Sequence, residues 1–371
     1  MYKKIISVFF FLLLFGTNTF SQKAKSENAI EPPEVTIAGT QLQKLHSSLL
    51  NRDFELYINL PRFYSDTTRK FPVVYLLDGQ WDFPLVMSIY GEQYYDGFVP
   101  GAIIVGITWG GDHPDYDSLR AMDLTPYHSN QLPQSGNAAN FLKFIKHEVI
   151  PFVEKNYRTD NTNRALMGSS FGGLFTLYAM FAQTDLFNMY ALTSPALTWA
   201  NGAIYKEEEQ YAKEHSDLPV RLYMAVGGYE DVDGFNHFAD KLKGRNYKNL
   251  KMETKVVEGM GHSGGKAEGF TRGMQFVFKR PELKLDSTAL AQYAGTYAFA
   301  PGVNFKITLE DGHLIAHLPG NQKITLYAET EMDFHVIGSY AVAHFQKDNS
   351  GKVTGFKLEQ YSSENFVKKI D

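Results

Sequence analysis

The sequence predicts an α/β fold with a mostly parallel central sheet, followed by a small C-terminal antiparallel β domain. Three observations carry this. Continuous apolar runs such as FPVVYLLDG (71–79) and GAIIVGIT (101–108) read as strands buried on both faces. They alternate with stretches of helical spacing, the order expected of a parallel sheet covered on both sides. After KRPELKLD (279–286) the pattern changes to short alternating runs separated by tight turns.

The N-terminus comes first. Lys3 and Lys4 precede an apolar run, Ile5–Phe15, with small residues Thr19 and Ser21 before Gln22. That is the layout of a cleavable export signal over 1–21, too short for a comfortable membrane span. Its removal takes the formal net charge from −5 to −7, because two lysines leave. Residues 22–36 are polar and read as a leader. The chain contains no cysteine. An exported fold without disulfides rests on its core, and a lipid anchor on a cysteine after the signal is excluded. The expectation is a periplasmic or secreted protein without a membrane anchor. The acidic balance and the lack of a long basic run give nucleic-acid binding no electrostatic support.

Strands and helices then follow in order over 37–281. FELYINLP (54–61) places Phe54, Leu56, Ile58 and Leu60 on one face, as a half-buried strand does. The runs at 71–79 and 101–108 are buried strands with a helix between them at 81–95. Phe141, Ile145, Val149 and Phe152 recur at near-helical spacing. RALMG (164–168) is a short strand, and GLFTLYAMF (173–181) a helix. MYALTSPAL (189–197), VRLYMAVGG (220–228) and METKVVEGMG (252–261) supply three more strands. In 286–371, Asp311-Gly312 is a two-residue hairpin signal. Pairing across it sets Leu309 opposite Leu314, Ile307 opposite Ala316 and Phe305 opposite Leu318, all on one face. DNSGKVTGFKLEQ (348–360) gives a further turn and strand. The high aromatic share, 22 Tyr and 28 Phe, fits core and β structure.

The chemistry centres on MGSSFGG (167–173). A serine at the apex of a sharp strand-to-helix turn needs small residues two before and two after it. Around Ser170 these are Gly168 and Gly172; around Ser169 they are Met167 and Phe171, so Ser170 is the candidate nucleophile. A serine needs a base. In this architecture the chain order is serine, acid, histidine. His262, in a glycine-rich loop directly after a strand, is the best placed of the 11 histidines. The acid is expected in GGYEDVDGF (227–235), which offers Glu230, Asp231 and Asp233, with Glu230 favoured. Oxyanion donors are expected from the backbone N–H of Phe171 and of Gln80 or Trp81.

LLDG with the loop after it, RAMDLTP (120–126), MGSSFGG, VGGYE (226–230) and GMGHS (259–263) together resemble the esterase family of α/β-hydrolases. That family includes siderophore, feruloyl and acetylxylan esterases, S-formylglutathione hydrolase and mycolyltransferases. The resemblance covers roughly 40–280 and implies a triad of Ser170, Glu230 and His262, with no cofactor and no metal. Gly-x-x-Glu at 227–230 looks most like the siderophore-esterase branch. Arg120 and Asp123 resemble the family's Arg–Asp pair, read as an ion pair shaping the loop or as a substrate contact through Arg120. LAQYAGTYAF (290–299) and the hairpins after it resemble a small β domain appended to hydrolases.

Trp81 and Trp109 follow strands that end near the expected site; they line a substrate pocket or pack. His313 and His317 fall on a strand about 13 Å apart at about 3.3 Å per residue, too far to share a metal. The acidic runs at 112–117 and 230–234 lack the full calcium-loop pattern. The function expected is an exported serine esterase acting on an acylated glycan or a siderophore-type ester, a small-molecule or glycan partner. The same residues serve acyl transfer to another alcohol, and a non-catalytic binding protein is the rival of a different class. The C-terminal domain is a candidate for homo-oligomer contacts.

Overall fold

A computed structural model describes residues 35–62, 64–66, 69–360 and 363–371. The expected export signal, and the leader up to residue 34, lie outside the described residues. Residues 35–38 are an exposed irregular stretch.

The first sheet is built from β1 (Thr40–Ser47), β2 (Arg52–Asn59), β3 (Phe71–Leu76), β4 (Ile103–Trp109), β5 (Thr159–Ser169), β6 (Met189–Thr193), β7 (Arg221–Gly227) and β8 (Lys251–Val257). Their order across the sheet is 1-2-4-3-5-6-7-8. β2 runs antiparallel to both β1 and β4, whereas β3 to β8 are parallel. This is the sheet of an α/β-hydrolase fold.

The helices are α1 (Gly79–Tyr95), α2 (Tyr116–Asp123), α3 (Ala138–Phe144), α4 (Ile150–Asn156), α5 (Phe171–Ala182), α6 (Trp199–Gly202), α7 (Ile204–Glu214), α8 (Val232–Gly244), α9 (Lys266–Val277) and α10 (Ser287–Ala291). The continuous apolar runs have a direct physical cause. Val73, Tyr75 and Leu77 enter a core shared with Phe141, Phe175 and Phe238. Val74 and Leu76 enter a second core with Phe83 and Val86 of α1 and Phe270 and Met274 of α9. Successive strand residues point to opposite faces, and both faces are covered, so no position in the run can be polar. β2 is simpler: Phe54, Leu56 and Ile58 are fully buried on one face.

The C-terminal strands close on themselves. β9 (Gly295–Ala300), β10 (Val303–Glu310), β11 (His313–Leu318), β12 (Gln322–Ala328), β13 (Asp333–His335), β14 (Ala341–Lys347), β15 (Val353–Gln360) and β16 (Ser363–Lys369) form a closed antiparallel barrel, β16 pairing back onto β9. The hairpin over Asp311-Gly312 pairs Leu309 with Leu314 and Ile307 with Ala316, with positive φ at both turn residues. That is the handedness a two-residue hairpin requires.

Barrel and hydrolase sheet meet beyond the C-terminal end of α1. Tyr340, in the β13–β14 loop, lies 5.1 Å ring to ring from Tyr94 and packs into the α1–α9 core. Glu359 of β15 pairs with Arg69 and accepts the Tyr340 hydroxyl at 2.7 Å. Arg280 pairs with Glu329 at 2.7 Å.

Candidate active site

The turn from β5 into α5 has no room for a side chain at its base. A Cβ on Gly168 would stand 2.5 Å from the carbonyl carbon and oxygen of Gly172. Between them Ser170 adopts φ 59°, ψ −116°, a conformation that costs a non-glycine residue about 1–3 kcal/mol. The surroundings hold it there. The Ser170 N–H donates to the Thr193 carbonyl at 3.1 Å, and its own carbonyl accepts from Leu174 (2.9 Å) and Ala196 (3.2 Å). Ser169 is only 1% exposed, so its hydroxyl faces the interior. Ser170 is half-buried.

A carboxylate–imidazole pair stands at the neighbouring strand ends. Glu230, just past β7, places Oε2 2.6 Å from Nδ1 of His262, which follows β8. Its Oε1 accepts from the Ser194 hydroxyl at 2.6 Å and from the Gly227 N–H at 2.8 Å. A Cβ on Gly227 would lie 2.6 Å from the Met260 carbonyl and 2.9 Å from Glu230 Oε1, so glycine lets the histidine loop and the carboxylate approach. Burial works to raise the Glu230 carboxyl. The hydrogen bonds from Ser194, His262 and Gly227 prevail and hold it below the ordinary carboxylate value. Of the three acids the sequence offers, only Glu230 faces His262. Asp231 caps α8 by accepting the Gly234 N–H at 3.0 Å, and Asp233 sits exposed in that helix's first turn. His262 is half-exposed.

Two helix N-termini adjoin beside Ser170. α5 begins at Phe171 and α1 at Gly79, and Gly172 would bring a Cβ within 3.2 Å of Asp78 Oδ2. First-turn N–H groups lack intrahelical acceptors and gather positive potential. Phe171 and Gln80 occupy such positions. Of the two expected donors of this loop, Trp81 already donates its N–H to the Asp78 carbonyl at 3.0 Å.

Two further expectations need correction. Arg120 does not pair with Asp123. It grips Asp78 through Nε and Nη2, at 3.0 and 2.8 Å, and its guanidinium lies 5.2 Å from the Phe171 ring and 5.5 Å from that of Trp81. Asp123 is taken by Arg52 (2.7 and 2.9 Å), by the Trp109 indole N–H (2.7 Å) and by Asn137 (3.1 Å). Trp109 therefore packs rather than lining a pocket: it is 3% exposed and stacks on Phe141. Trp81 is 47% exposed.

A cleft of about 730 Å³ opens next to Phe171. Two segments line it with Phe171: His128–Gln131, and Ala196 with Thr198–Asn201. Trp199 meets Phe171 edge-on at 4.9 Å. Hydrogen-bonding side chains, His128 among them, and two aromatic rings thus line a void next to Phe171, the residue after the strained serine. Ser194, Asp78 and this cleft were not singled out in the sequence. Ser194 had one cue, a serine between a strand and Pro195. Its φ of 47° and its bond to Glu230 arise only from the fold.

Comparisons with known proteins follow from this geometry. A family model described as "Putative esterase" matches residues 47–263, and one described as a domain of unknown function matches 279–369. The ferri-bacillibactin esterase of Bacillus subtilis is 27% identical over 248 residues, which are 61% of this chain and 85% of that protein. The siderophore triacetylfusarinine C esterase of Aspergillus fumigatus is 30% identical over 165 residues, 43% of this chain and 56% of that protein. The crystal structure of an IroE-like serine hydrolase from Shewanella oneidensis superposes with a TM-score of 0.59 at 29% identity, covering 65% of this chain and 80% of that one.

Proposed function

This chain belongs to the esterase family matched over 47–263 and is a carboxylic ester hydrolase, and from that premise we propose that it cleaves siderophore-type esters through Ser170, His262 and Glu230. The observation that carries the reading is the 2.6 Å contact between Glu230 and His262 at strand ends adjoining the strained Ser170 turn. Glu230, hydrogen-bonded on both oxygens, fixes the His262 ring with its Nδ1 proton toward the carboxylate. Nε2 is then the basic nitrogen. It takes the Ser170 proton as Oγ attacks the ester carbonyl carbon. The negative charge on the carbonyl oxygen is met by the N–H groups of Phe171 and Gln80. The alcohol leaves with the proton from His262. Water, deprotonated by His262, then attacks the acyl-enzyme and releases the acid.

The substrate class rests on the two siderophore-esterase relatives and on the cleft. Its hydrogen-bonding walls and the rings of Phe171 and Trp199 suit a polar, carbonyl-rich ester better than a long acyl chain. Arg120, fixed by Asp78 against Phe171, orients that ring rather than taking a substrate carboxylate. The basic and then apolar residues 1–21 support export to the periplasm or the medium. Residues 37–281 act as the hydrolase domain and 286–371 as a separate β domain.

The test is release of acid and alcohol from ferri-bacillibactin, triacetylfusarinine C, a feruloylated oligosaccharide and a nitrophenyl acetate, by the mature protein and by Ser170→Ala. The siderophore esters are expected to turn over fastest. Ser170→Ala is expected to lose on the order of 10⁶ in kcat. A loss of only a few-fold would sink the nucleophile assignment. Fastest turnover of the feruloylated sugar would overturn the substrate class while leaving the triad standing.

A further inference from the structure

Eight strands is the size at which a closed barrel is either filled by its side chains or holds one small ligand. This barrel does both, in different halves. At the end closed by α10, Tyr293 meets Phe345 at 4.6 Å, Phe345 meets Phe356 at 5.0 Å, and Tyr297 meets Phe356 at 5.3 Å, so the interior is packed with rings. Beyond these rings a cavity of about 420 Å³ opens, where Ala316, Ala341 and Ala343 leave space among larger apolar side chains such as Ile307, Leu326 and Leu358. Its mouth carries Phe299 and Val303, 53% and 39% exposed. Among the described residues, none of the seventeen around it is ionisable; the polar ones are Gln322, Ser339 and Gln360.

An apolar cavity of this volume lies in the size range of small-molecule sites, where a few polar groups fix orientation. Walls without charge disfavour an ionised ligand, whose desolvation nothing would offset. We propose that the barrel binds one uncharged, largely aliphatic molecule, its chain among the alanines and its hydroxyl, amide or ester head at Gln322 and Gln360. The site is separate from the ester cleft. Gln80 stands at the start of α1 and Tyr94, against Tyr340 of the barrel, near its end. At 1.5 Å per helical residue, that puts roughly 21 Å between them. The hydrolase reaction and the ligand therefore occupy different parts of the chain.

The experiment titrates the full mature chain with N-phenyl-1-naphthylamine, a neutral fluorescent probe, and competes it with 1-dodecanol and with dodecanoate at pH 8. One probe per chain is expected, displaced by 1-dodecanol at concentrations about ten-fold or more below those of dodecanoate. Phe299→Asp puts a charge at the exposed mouth and is expected to weaken binding about ten-fold with nitrophenyl ester hydrolysis unchanged. Ala316→Phe fills the cavity and is expected to abolish binding; should it fold poorly, Phe299→Asp alone decides. Three results would overturn the proposal: no binding, binding indifferent to Phe299→Asp, or dodecanoate competing as well as the alcohol. Loss of probe binding after serine labelling with a fluorophosphonate would also overturn it, by placing the probe in the ester cleft.

Discussion

Gly168 and Gly312 stand for the two halves of this molecule. At Gly168 a Cβ would strike the Gly172 backbone at 2.5 Å. At Gly312 nothing lies within 4 Å, but φ is +78°. The first glycine exists for close approach, the second for handedness. The same contrast runs through both architectures. The hydrolase strands are buried on two faces and end in crowded, strained turns, with positive φ at Asp78, Ser170 and Ser194. The barrel strands are buried on one face, end in open turns, and leave space inside. Chemistry needs groups held against strain in a tight place, whereas ligand storage needs room, and each half supplies one of these.

The largest expected effect that sharpens the contrast lies in the crowded half. Glu230→Gln keeps the shape but donates an amide N–H or offers a neutral oxygen where His262 meets a carboxylate. A loss of about 10⁴ in kcat is expected, the size seen when a triad acid becomes its amide. Probe binding in the barrel should not change. Steady-state kinetics beside a thermal melt checks this; a full kcat with intact fold would remove Glu230 from the mechanism.

The two glycines come next, as a pair. Gly168→Ala must push the backbone of β5 and α5 apart, and overpacking of that kind costs about 3 kcal/mol. Because the displaced atoms carry Ser170, activity should fall further than stability explains. Gly312→Ala meets no atom and only forces a left-handed conformation on alanine, about 1–2 kcal/mol, with hydrolysis unchanged. Denaturant melts and ester assays on both variants test it. Equal losses of activity would break the distinction between crowding and handedness.

How much of this was legible in the sequence follows the same division. Local patterns were readable: the continuous runs, the Gly-x-Ser-x-Gly turn with its flanking strand and helix, and the hairpin register around Asp311-Gly312. Each is set by residues within about ten positions of one another. What depended on distant chain segments was not. Arg120 and Asp123, three apart on one helix, looked like partners, but Asp123 is claimed by Arg52 and Trp109 from two strands and Arg120 by Asp78. The sequence around Trp109 fits pocket and core alike, because a strand end borders both. Ser194 gave almost no cue, since its contact with Glu230 spans 36 residues. The cavity in the barrel is lined by residues from strands far apart in the chain, Phe305 and Ala316 with Ala343 and Leu358 among them, and they come together only once the barrel closes.

The smallest expected effect lies where the halves meet. Glu359, 5% exposed, bonds Arg69 of the hydrolase half, Tyr340, and His344 of β14, whose other nitrogen faces Asp333 at 2.7 Å. Burial opposes the Glu359 charge, but these partners lower its carboxyl to about 2. The hydrogen bond to Glu359, against burial and with help from Asp333, raises His344 above its ordinary value. The signs are opposite. The carboxylate's contribution is complete above about 4.5 and fades as pH falls toward about 2. The imidazolium's contribution is complete below 6.5 and fades as pH rises through the raised folded value. Between those limits the junction is at its firmest. Arg69 and His344 are each about two-fifths exposed, so solvent screens the pairs, and Glu359→Gln is expected to cost only about 1 kcal/mol at pH 5.5. The difference in Tm between the wild type and this variant should shrink at pH 3 and again at pH 9, while hydrolysis at pH 7 stays within two-fold. A Tm difference that is flat across that range would mean that packing of Tyr340 against Tyr94, and not charge, joins the barrel to the sheet.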